Sequence, residues 1–78
     1  MTRTENQVAS IEELIVGLPD ECGTPEGYMR EHLETIRFYL IGSMPEECTL
    51  TRNIARDLLP EIADADRRKR IGEFLSSL

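Results

Sequence analysis

No apolar run in this sequence is long enough to cross a bilayer. The longest uninterrupted stretch is Phe38-Tyr39-Leu40-Ile41, against the 18 or more residues that a spanning helix needs. Cysteine is scarce, with only Cys22 and Cys48 and no CxxC, and His32 is the single histidine. That set cannot complete a Cys/His zinc site, so no metal or other cofactor is expected. No alternating run of β-branched residues and no Asn-Gly or Asp-Gly turn is present, which excludes a strand-based fold. A Gly-rich phosphate loop, an HExxH and a Ser/His/Asp order are all missing. The polar opening MTRTENQVAS lacks the apolar segment of a secretory signal. A cytoplasmic, reducing location is therefore expected, with two free thiols rather than a Cys22–Cys48 bridge.

What remains reads as helix throughout. Residues 1–9 are expected to form a disordered or frayed lead-in, being polar and without periodicity, and 10–78 a single small helical domain. Ser10-Ile11-Glu12-Glu13 fits a capping box. Ile11, Leu14, Ile15 and Leu18 follow on one helical face until Gly17 and Pro19 end it. Thr24-Pro25-Glu26 opens a second helix, with Thr as cap, Pro at the first turn and an acid beside it. It should run from Pro25 to Ile41, with Met29, Leu33, Ile36 and Leu40 as a narrow seam of the kind helical hairpins use. Thr49 or Thr51 would cap a third helix whose face is Leu50, Ile54, Leu58 and Ile62, with Ala55 and Leu59 beside it. Pro60 must kink or divide that helix, because it has no amide hydrogen and its ring collides with the Arg56 carbonyl. Asp64-Ala65-Asp66 caps a last helix carrying Ile71, Phe74, Leu75 and Leu78. The fold class is thus all-α: a compact bundle of three to four short helices on an antiparallel helical hairpin.

The net charge is −6, and it is unevenly spread. Residues 1–47 hold ten acids against three arginines, whereas 48–78 hold six bases against five acids. Arg67-Arg68-Lys69-Arg70 stands out, yet four successive helical residues encircle the axis rather than forming the single basic face that groove readers need. Asp64, Asp66 and Glu73 also lie at neutralising spacings. A solvated, salt-bridged helix turn is the plain interpretation, and a docking patch for an acidic partner the sharper one. His32 has Tyr28 and Ile36 at the positions one turn away, where a second metal ligand would be needed. It also lacks the following Lys-Gly of a phosphoacceptor histidine. Each paired carboxylate sits in a cap or loop, where an acid serves the helix dipole.

Phe38 and Ile41 point away from the Ile36/Leu40 direction, so either other helices enclose this end or it meets a partner. The functional expectation is a non-catalytic, small acidic interaction module, bacterial in character, such as an adaptor, inhibitor, chaperone or regulatory subunit. Its interface would be Met29, Leu33, Ile36, Phe38, Tyr39, Leu40 and Ile41, meeting a second copy in a homodimer, or a larger protein. The alternative is a small dimeric nucleic-acid-associated regulator using Arg67, Arg68, Lys69 and Arg70. No small-molecule substrate is evident. So short a chain buries only about 60% of its unfolded surface, which is why association is expected to supply stability.

Overall fold

Among the described residues four α-helices follow in order, α1 Arg3–Val16, α2 Pro25–Ile41, α3 Cys48–Leu58 and α4 Ala65–Ser76, with 3-10 turns at Pro45–Glu47 and Leu59–Glu61. The computed structural model describes residues 3–78, and no strand occurs among them. The all-α bundle expected from the sequence is what the chain forms. α2 packs against α1 on one side and α3 on the other, and α4 closes the ring by packing on α1 and α3. The shared core holds Ile11, Ile15 and Leu18, the α2 seam, Cys48 and Ala55, Ile62, and Ile71, Phe74 and Leu75. The radius of gyration, 11.6 Å, matches the about 11.5 Å of a single domain of this length.

α2 has the boundaries its sequence dictates. Thr24 is extended (φ −102°, ψ 154°) and its Oγ1 accepts from the Gly27 N–H at 3.0 Å. The same hydroxyl donates to the Glu21 carbonyl at 2.8 Å. That carbonyl occupies the space a Cβ on residue 27 would need, so only glycine fits in this first turn. At the other end the left-handed residue is Ser43 (φ 58°) rather than the glycine before it. The Ser43 N–H donates to the Leu40 carbonyl at 3.2 Å, and the Met44 N–H to that of Tyr39 at 2.9 Å. These bonds satisfy carbonyls that the helix end would leave open.

Four expectations need correction. The lead-in over 1–9 is helical from Arg3 onward, while Met1 and Thr2 lie outside the described residues. Ser10 is inside α1 rather than its cap. The polar first turns are held because Val8 packs on the core and Arg3 Nη2 donates to the Ser77 carbonyl at 3.2 Å. In the third helix neither threonine caps. The chain enters α3 through the Pro45–Glu47 turn, and the Thr49 hydroxyl donates back to the Glu46 carbonyl at 3.2 Å. Nor do Leu50 and Ile54 face inward: Leu50 is 70% exposed and Ile54 44%, and Cys48 and Ala55 are buried instead. Apolar residues at steps of four rotate about 40° per step, so a ladder of them winds off one face.

Pro60 divides rather than kinks. α3 ends at Leu58, Pro60 sits early in the following 3-10 turn, and Ile62 resumes extended backbone with its side chain fully buried. Asp64 then caps α4, its Oδ1 accepting from the Arg67 N–H at 2.9 Å.

Candidate protein-binding surface

The seam expected to form an interface separates into two groups. Met29, Leu33, Ile36 and Leu40 are between 0% and 2% exposed, because α1 and α3 of the same chain cover them. They are core and cannot meet a partner without unfolding. Phe38 is 66% and Ile41 55% exposed, and Tyr39 is half-buried. These three remain as surface.

Phe38 projects from the outward side of α2. Its ring meets that of Tyr39 edge to face, with centroids 5.7 Å apart and planes at 71°. Edge-on pairing of this kind is favourable through the ring quadrupoles, and Tyr39 in turn packs on the core. Glu31, Glu34 and Thr35 line the same surface. Glu34 is held by Arg30 Nε at 3.3 Å one turn away. Arg30 in turn donates from Nη1 to the Leu18 carbonyl at 2.7 Å, tying the α1–α2 loop down. Tyr28 at the start of α2, and Leu50 and Ile54 on neighbouring α3, add further exposed apolar area. The apolar ladder hides the outward position of Leu50 and Ile54; projecting α3 at about 100° per residue around Ala55 reveals both turned to solvent.

Two grooves adjoin other elements. One lies between the first turns of α1 and the end of α2, walled by Val8, Ala9, Leu40 and Ile41 and with Glu5 and Glu12 at its rim. Glu12 pairs there with Arg37 Nε at 3.2 Å. This groove exists because α1 begins at Arg3. The other lies between α3 and α4, with Leu59, Leu75 and Gly72 forming its base and Arg56, Lys69 and Glu73 around it. A Cβ on residue 72 would approach Leu59 Cδ2 to 3.1 Å, so the glycine keeps this base open.

The basic quartet does not present one face. Arg68 Nη1 is turned to the Ile62 carbonyl at 2.8 Å, and Arg70 lies 3.8 Å from Asp66. The anticipated Asp64–Arg68 and Lys69–Glu73 pairs do not form among the described residues. Asp64 instead serves the helix end. The Arg67 backbone N–H, first of all, and the nearby guanidinium groups hold its carboxyl below the usual range.

Both cysteines carry free thiols, Cys22 exposed and Cys48 buried. Cys48 Sγ donates weakly to the Ile36 carbonyl at 3.8 Å. Burial, aided by the charge of Glu46, pushes its thiol pKa up. His32 is half-buried on α2, and no cluster of three or more potential metal ligands forms among the described residues. Among the same residues, no helix is long and apolar enough to cross a membrane.

Comparison with known proteins adds nothing to this geometry, since no family model, no curated protein and no solved structure matches the chain.

Proposed function

We propose that this chain is a non-catalytic protein-interaction module, acting in the cytoplasm as a small regulatory or adaptor subunit. Its working surface is the outward side of α2 around Phe38, Tyr39 and Ile41, and Leu50 and Ile54 on α3 are further exposed apolar groups. The observation that carries this reading is Phe38, an aromatic side chain 66% exposed on α2, with Ile41 of the same helix also exposed. An exposed aromatic anchor beside other apolar groups, rimmed by charge, is the usual composition of a binding patch. Glu31 and Glu34 at the rim would govern partner choice and encounter rate more than affinity. The first partner is a second copy of this chain, and a larger helical protein could use the same surface.

Sedimentation equilibrium over a wide concentration range tests the proposal. The wild-type mass should rise above 8.9 kDa with concentration, and Phe38→Asp should return it to that of one chain. Phe38 leaves the core untouched, so the variant should remain as helical as the parent. If Phe38→Asp alters neither the mass nor the set of proteins retained by the immobilised chain, this surface is not the interface.

A further inference from the structure

The surface around Phe38 and the groove between α3 and α4 are complementary in charge. The first presents the Phe38–Tyr39 aromatic pair, with Phe38 largely exposed, flanked by Glu31 and Glu34. The second is an apolar groove, Leu59, Leu75 and Gly72, bordered by Arg56, Lys69 and Glu73, two bases against one acid. Arg56 and Lys69 are both exposed and pair with no acid among the described residues, so their charge is available. No residue lines both sites. One is built on α2 alone and the other on α3, the turn after it and α4, so a chain cannot insert its own projection into its own groove.

We propose that copies of this chain join head to tail, the Phe38–Tyr39 projection of one entering the α3–α4 groove of the next. Glu31 and Glu34 of the first copy then face Arg56 and Lys69 of the second. The inference rests on the self-association reading above and changes its geometry. The expected two-fold dimer would pair one surface with itself. A contact between two different surfaces leaves a free projection at one end and a free groove at the other, so it propagates into a ring or an open chain. Gly72 has a role in this arrangement, because any side chain there would press on Leu59 and fill the groove.

Complementation tests the geometry. The projection is disabled by Phe38→Asp and the groove by Arg56→Glu with Lys69→Glu, all at exposed positions. Each variant alone should associate roughly thirtyfold or more weakly than wild type, as loss of an interface anchor does. Mixed in equal amounts, they should form a species of twice the 8.9 kDa chain mass and no larger, since each supplies the part the other lacks. Glu31→Lys with Glu34→Lys, mixed with the same groove variant, should also pair, through reversed charges. Circular dichroism of every variant confirms that helix content is retained.

A mixture that stays monomeric while both components remain helical overturns the head-to-tail contact. So does a groove variant that associates as wild type does while Phe38→Asp does not. In that case α2 surfaces pair with each other, and the interaction function stands without this geometry. If the wild-type chain sediments as a single copy at every concentration, self-association falls altogether.

Discussion

Individual residues in this chain take roles that their identity alone does not disclose. Gly27 reads as a weak link in a helix, where glycine costs about 1 kcal/mol relative to alanine. Here it is the one residue that lets the Glu21 carbonyl reach the start of α2. Gly27→Ala, stabilising in an ordinary helix, should therefore destabilise this protein by about 1–3 kcal/mol, the range of overpacked sites. Urea unfolding monitored by circular dichroism would register it as a lower midpoint. The two thiols differ just as sharply. Cys22 is exposed, whereas Cys48 is enclosed and its pKa is raised. An aromatic disulfide reagent should consume one thiol per chain under native conditions and the second only on unfolding. The sign of the Cys48 contribution follows from its raised pKa. The stability it supplies is complete below the ordinary value of 9.0 and is lost as pH climbs through the folded value. Nothing in the sequence separates Cys22 from Cys48, because enclosure depends on where Ile36 lies, a contact twelve residues away.

Helices are legible wherever a local signal marks them. Thr24-Pro25-Glu26 fixes the start of α2 and Asp64 the start of α4, since capping is a short-range interaction written into consecutive residues. The start of α1 escapes sequence reasoning because its first two turns contain little but polar residues, and only contact with α4 and the core holds them helical. The buried face of α3 escapes it because the apolar ladder has the wrong period for one face. The Asp64 cap gives a pH-dependent prediction. Its folded pKa is depressed, so its contribution is present above the ordinary carboxylate value of 3.8 and vanishes as pH falls through the folded value. Asp64→Asn keeps an acceptor at the cap while removing the titrating group. Wild type should be more stable than this variant at neutral pH, and the difference should shrink towards zero in acid, as measured by urea titrations at several pH values.

At the scale of the whole molecule the buried set follows largely from sequence, and its coverage does not. Met29, Leu33, Ile36 and Leu40 are recognisable as an apolar seam, but periodicity cannot distinguish a neighbour in the same chain from one in another. The chain supplies its own cover by closing four helices into a ring, which a hairpin-centred expectation underestimates. A paired substitution separates the two kinds of residue. Leu33→Ala should cost about 2–5 kcal/mol through the cavity it leaves. That is a large share of the roughly 4–12 kcal/mol available to a domain of this size. Phe38→Ala should change the stability of the isolated chain by no more than about 0.5 kcal/mol, as at other exposed sites. Denaturant unfolding at high dilution measures both without interference from association.

The hydrogen bond from Arg3 to the Ser77 carbonyl, 3.2 Å long, brings the outer ends of the first and last helices together. A short Gly/Ser bridge between them, with the backbone reopened in the exposed 20–23 loop, should yield a circular permutant with the same core. Native-like helix content in that permutant would show that the bundle depends on how its helices pack rather than on the order in which they are strung.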